Sequence, residues 1–288
     1  MSVGQAQKQR GTNYREVESP GGITKLLTLT GQDVSLRARG MLIWGVVLGA
    51  LGAMFVAIVP SLTDNPGMEE LINSMPQAML DLFGYGAGGF GSVEGILDGE
   101  MLGFMVPLAL SIFAILVASS ALAGAEEEGT MDVLMGNPLP RWQLVVSRFL
   151  SAAVLLLGIV AIMGLITWLT ALVLDVDLAF ESMAAGSLSL WPLAMFFGGL
   201  AMLCSAIFHR RFLAIAIPLA LLVVMYFVDG LASSVEFLED IQPLSAFYYY
   251  GSAIQDGIDW ANFAGLTVAT LVLIVIAVLI FRRRDIYT

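Results

Sequence analysis

Residues 123–141 read Ala-Gly-Ala-Glu-Glu-Glu-Gly-Thr-Met-Asp-Val-Leu-Met-Gly-Asn-Pro-Leu-Pro-Arg, with three consecutive carboxylates set directly after a long apolar run. The spacing predicts a very short helix. Thr130 is placed to cap it by accepting an orphan backbone N–H, and Asp132 complements its positive end. Val133, Leu134 and Met135 give it an apolar ridge. Gly136 suits a left-handed C-terminal residue, and Asn137-Pro138 discourages continuation. So short a helix is not stable alone, and it must pack on its own domain or dock into a partner. The alternative is an ordinary capped turn closing a loop. Glu126, Glu127 and Glu128 make a poor metal site, because neighbouring helical residues point about 100° apart, and no metal is expected.

Outward from this stretch the chain is apolar on both sides. Of 288 residues, 58 % are hydrophobic and 13 % charged, and the mean hydropathy is +0.86, far from the roughly 25 % charged residues of soluble domains. Spans need about 20 apolar residues. Six runs satisfy this, 41–59, 101–125, 149–174, 188–208, 212–228 and 260–281, so the expected fold is an all-α, six-span integral membrane protein. The expected organisation is a disordered tail (1–22), an amphipathic helix (23–39) and a six-span domain (40–288). Ile23, Leu26, Leu27 and Val34 share one helical side, which suits a helix lying in the membrane interface. Helical spacing also marks an outer cap after the first span, followed by a Gly-rich connection at 84–91.

Charge supplies the orientation. All 13 Lys and Arg residues fall in the two tails and the 2–3 and 4–5 loops, together with 8 acids, whereas the other three loops hold 16 acids and no base. The positive-inside rule then places both termini in the cytoplasm of a multi-pass plasma-membrane protein. The acidic exterior either attracts a cationic partner or reflects a salt-adapted host; the second is the simpler reading. No nucleic-acid partner is expected.

Several chemistries have no residues to carry them. The six runs contain no Asp, Glu, Lys, Arg or His, which disfavours proton- or voltage-driven transport. A membrane serine protease needs a base near its nucleophile, yet the one histidine, His209, sits in a loop beside Arg210 and Arg211, where it suits lipid headgroups. The one cysteine, Cys204, allows no intrachain disulfide. Neither lysine follows a glycine, so there is no P-loop. The chain is therefore not expected to be an enzyme, and any nucleotide-driven work requires another polypeptide.

The stretch Glu126-Glu-Glu-Gly129-Thr130-Met-Asp132-Val-Leu134-Met135-Gly-Asn-Pro138-Leu-Pro-Arg141 resembles the signature after the second span of ABC-2 type permeases. Asp132 stands where that family often has Glu. Pro243-Leu-Ser-Ala-Phe-Tyr-Tyr-Tyr before the last run is similar to the family's Leu-Ser-Pro-Phe-like segment, and Phe281-Arg-Arg-Arg-Asp-Ile286 to its Arg-rich ending. Met75-Pro-Gln-Ala-Met-Leu-Asp-Leu-Phe-Gly84 is similar to its outer helix.

The resemblance implies a type V ABC exporter fold, in which two such permeases, identical or related, pair in the membrane. Each would dock on a P-loop ATPase that binds ATP and Mg, while this chain binds no cofactor. Glu126, Glu127, Glu128, Gly129, Thr130, Asp132, Leu134, Met135, Pro138 and Arg141 would form the ATPase-coupling region, with 23–39 as the connecting helix. Spans two and five would line the substrate path, with Met105, Ile112, Leu221 and Met225 as its candidate residues. The other function carried by the same docking is a non-transporting membrane anchor or mechanical subunit.

Overall fold

The computed structural model describes residues 22–63, 74, 76, 93–127, 129 and 140–283. Six long helices dominate them: α1 (Gly22–Thr63), α2 (Val93–Glu127), α3 (Arg141–Val173), α4 (Phe180–Ile207), α5 (Arg211–Leu231) and, after two short helices, α8 (Trp260–Arg283). Each is long and apolar enough to cross a membrane, and no strand occurs among the described residues. The short helices, α6 (Glu236–Ile241) and α7 (Ala253–Asp256), lie in the connection between α5 and α8. The expected outer cap lies outside the described residues apart from Ser74 and Pro76, as do the Gly-rich connection and residues 1–21 of the expected tail.

Helix α4 is the hub, more deeply buried than the other five. One core cluster joins α4 through Leu193, Phe197 and Ala201 to α2, α5 and α8; a second joins it through Leu190 and Ala194 to α1, α2 and α3. Bundles in lipid have no strong hydrophobic drive between helices, so close approach over small residues does much of the work. α1 and α3 meet in this way. A Cβ on Gly45 would come within 2.9 Å of Ile162, one on Gly49 within 2.8 Å of Ile166, and one on Gly52 within 2.1 Å of Thr167 Oγ1. On α3, a Cβ on Gly158 would meet Met41 Sδ at 2.2 Å. The paired positions climb together, so α1 and α3 run parallel.

The same register continues into residues 22–37. The segment 23–39 is helical, continuous with the first span, and runs beside α3. The cause is its polar stripe. Thr30 and Asp33 are buried, whereas Ile23, Leu27 and Leu36 are exposed. The Ser151 hydroxyl donates to the Thr30 carbonyl at 3.3 Å, Thr30 Oγ1 to the Ser147 carbonyl at 3.5 Å, and the Gln143 amide to the Gly22 carbonyl at 3.4 Å. Polar groups choose the packed face, and the apolar residues point outward.

α2 departs from a regular helix twice. Leu97–Met105 and Ser120–Gly124 are π-helical, on either side of a regular stretch at Val106–Ser119. Such widened turns leave backbone groups out of step and commonly mark functional positions. At the second, Ser205 of α4 compensates: its hydroxyl accepts the Ala123 N–H at 2.8 Å and donates to the Ser119 carbonyl at 3.3 Å. The helix also begins earlier than the apolar run suggested. Asp98, expected in the preceding loop, lies within it.

Candidate functional site

The start of α3, which follows the loop from α2, lies at the end of the bundle where α1 begins, with Gln143 bonded to Gly22. α2 stops at Gly129, whose φ of +67° is left-handed and whose N–H donates to the Glu126 carbonyl at 3.1 Å. Glycine adopts this conformation without a Cβ clash, and it is a common way to end a helix. The sequence reading placed a left-handed stop only at Gly136, after the short helix expected at 131–135, which lies outside the described residues; it did not mark Gly129, although a Gly following the last helical residues is a recognised stop signal.

Glu127 then reaches across to α5. Its Oε2 accepts the backbone N–H of Arg211, the first residue of that helix, at 3.3 Å. A carboxylate there satisfies an orphan N–H and complements the positive helix end. The two halves of the motif are therefore joined to different spans: the acidic end belongs to α2 and caps α5, whereas Arg141 opens α3 after an extended Pro140. Glu128, Thr130, Asp132, Leu134, Met135 and Pro138 lie outside the described residues.

Next to this loop, Asp33 of α1 forms an ion pair with Arg148 of α3 and a second, at 3.3 Å, with Arg37. Asp33 is 7 % exposed, and water cannot serve its carboxylate freely. One acid between two guanidiniums holds the start of α3 against α1, four turns of helix or less from the loop. Composition gave no hint of this pairing, because the two partners are 115 residues apart in sequence.

The opposite end of the bundle holds a second polar network. Asp98 of α2 accepts hydrogen bonds from the Ser252 hydroxyl at 2.5 Å and from Gln255 Nε2 at 2.8 Å. Tyr250 donates its hydroxyl to the Leu102 carbonyl at 3.0 Å, within the π-helical stretch. Burial, with Asp98 nearby, pushes the Tyr250 phenol well above its ordinary value, so it stays a donor. Ser245 donates to the Met225 carbonyl at 2.8 Å and accepts the Phe247 N–H at 3.1 Å. Phe247 closes an aromatic cluster with Tyr226 of α5 and Phe197 of α4, at ring separations of 5.4 and 6.0 Å. Phe104 of α2 packs at a tilt against the same Tyr226 at 5.7 Å. The Pro243–Tyr250 segment thus packs against α2, α4 and α5.

Of the four path candidates, Met105 and Ile112 on α2 and Leu221 on α5 are exposed on the protomer surface. Met225 is half-buried and packs against the core. Their helices pack side by side, α5 burying a ridge of Ala214, Pro218, Leu222 and Tyr226. The remainder of α5 is one of the least covered surfaces in the bundle.

No curated protein is similar enough to the chain to match it. The family model for the ABC-2 family transporter protein, by contrast, matches residues 5–286, from the tail before α1 through the whole six-helix bundle to the basic end. With nearly the whole chain matched, the chain belongs to the ABC-2 transporter family.

Proposed function

We propose that this chain is the permease of an ATP-binding cassette exporter of the plasma membrane, with both termini cytoplasmic and an ATPase on a separate polypeptide. The observation that carries the reading is the Glu127 carboxylate on the first N–H of α5. It joins the loop of residues 128–139 to a helix whose far face is uncovered. In this mechanism the segment 130–135 docks in a groove of the P-loop subunit, which binds ATP and Mg. Closure of that subunit on ATP displaces the loop as a rigid lever, and the two ends of the loop move different helices. The α2 end carries α5 through Glu127; the Arg141 end carries α3 together with α1 through Asp33 and Arg148. Two permeases pair through the exposed faces of α2 and α5, and the path opens between them along Met105, Ile112, Leu221 and Met225. Lipids surround the remaining faces. The charge-free lining favours amphiphilic or lipid-like substrates.

The test is reconstitution with a co-purifying P-loop ATPase. ATP-dependent export into or out of sealed vesicles is expected, and Leu134→Asp is expected to abolish both stimulation of the ATPase and transport while the bundle stays folded. Full transport in the Leu134→Asp complex would overturn the docking assignment. ATPase docking with no solute moved in any direction would leave an anchor in place of an exporter.

A further inference from the structure

We propose that the groove between α3 and α4 is a binding site for one glycerolipid chain, with Ser187 donating its hydroxyl to an oxygen of the lipid's glycerol linkage. The inference rests on embedding in a membrane and not on the transport reading. The groove is open on one side, has a volume of about 380 Å³ and is lined by apolar side chains of both helices, Leu157, Leu165, Phe180 and Met183 among them. That is room for roughly a dozen groups of water or methylene size at about 30 Å³ each, a length of hydrocarbon chain rather than a folded ligand. No charged side chain lines it, which excludes a charged headgroup from its interior.

The one polar side chain in the lining decides the occupant. Ser187 is 5 % exposed, and its hydroxyl has no hydrogen-bond partner among the described residues. A serine within a helix ordinarily bonds back to the carbonyl four residues earlier, as Ser151 does with Ser147 at 2.9 Å; Ser187 does not. Its Oγ faces Gly164 in the lining, where a Cβ would come within 2.5 Å, so the absent side chain on α3 is what gives the hydroxyl space. An orphan hydroxyl in an apolar site is costly, and a rotation about its χ1 presents it to whatever fills the groove.

Depth points to the lipid's linkage region. α4 has 28 residues, hence a length of about 42 Å against a hydrocarbon thickness of about 30 Å. With the excess shared equally, Ser187, seven residues after Phe180, lies about 5 Å inside the hydrocarbon boundary. The leaflet is the one on the side of the 174–179 connection. An ester carbonyl or ether oxygen of a glycerolipid reaches that depth, and its chain continues along Val160 and Leu157 toward the middle of the membrane.

The experiment reconstitutes the full chain in bilayers containing a glycerolipid with a diazirine on one chain, in ester-linked and ether-linked versions, and maps the photolabel by peptide. Label concentrated on residues 157–165 and 180–188 is expected. Ala161→Phe, on the exposed rim, should remove it. Ser187→Ala should cut it roughly threefold to tenfold, the worth of one hydrogen bond, with a melting temperature unchanged or raised, because an orphan hydroxyl has gone. Loss from only one linkage version identifies the acceptor oxygen. Label spread evenly over lipid-facing helices, or unaffected by Ala161→Phe, overturns the site. Undiminished label in Ser187→Ala with both lipids overturns the role of the hydroxyl.

Discussion

Asp33 shows how much one carboxylate can organise at the edge of a membrane. It stands between Arg37, one turn away on its own helix, and Arg148 on α3. Without it, two guanidiniums would face each other across the α1–α3 seam with no counter-charge. Both arginines keep some contact with solvent, which moderates the cost; Asp33 itself is nearly enclosed. Asp33→Ala is therefore expected to destabilise the protein by about 1–3 kcal/mol, the range for leaving buried polar partners unsatisfied. Asp33→Asn, which keeps an acceptor but not the charge, should cost less. Thermal unfolding in detergent or nanodiscs reads the difference, and an unchanged melting temperature in Asp33→Ala would mean that the seam is held by packing alone.

At the scale of the element, the α1–α3 pair depends on the absence of side chains. Gly45, Gly49 and Gly52 recur near every turn on one face of α1, and each lies within contact distance of a named atom of α3. Gly52→Ala would set a methyl 2.1 Å from Thr167 Oγ1 and 2.9 Å from Met101 Cε. The Met101 methyl can swing aside, but Thr167 is buried and its hydroxyl is bonded to the Met163 carbonyl, so the substitution is expected to cost about 1–3 kcal/mol, as overpacking of a close-packed core does. Gly40→Ala, where a Cβ meets nothing within 4 Å, is the control and should leave the melting temperature unchanged or slightly raised. This scale also separates what could be read in the sequence from what could not. The six helices follow from the length of the apolar runs, because lipid obliges each crossing segment to satisfy its own backbone. The direction in which residues 23–37 face did not follow. Soluble proteins bury the apolar stripe, but here Thr30 and Asp33 are buried against Ser147, Ser151 and Arg148, a choice visible only once α3 is beside them. Nor do the π-helical turns leave a mark in composition; they depend on partners such as Ser205, 82 residues away in sequence from the Ala123 it serves.

For the whole molecule, the issue is how a push on one loop reaches a pathway on the other side of the bundle. The aromatic cluster of Phe104, Phe197, Tyr226 and Phe247 packs α2, α4 and α5 together, and under the exporter reading it is the point about which a displacement of the loop would tilt these helices. Under the exporter reading, Glu127 is the contact that makes α5 follow α2. Its bond to the Arg211 N–H is exposed and long, a contact of small energetic worth, near the lower end of the roughly 0.5–2 kcal/mol range for helix caps. Glu127→Ala should accordingly barely change the melting temperature, yet lower the number of substrate molecules exported per ATP hydrolysed. Glu127→Gln, which keeps an acceptor oxygen for the same N–H, should retain most of the coupling, whereas a role in charge recognition of the ATPase would make it as defective as Glu127→Ala. Transport and hydrolysis measured on the same proteoliposomes separate these outcomes. Equal coupling ratios in wild type and Glu127→Ala would place the lever elsewhere, with the Arg141 end and the α1–α3 pair as the next elements to examine, since they are the other route by which the loop enters the bundle.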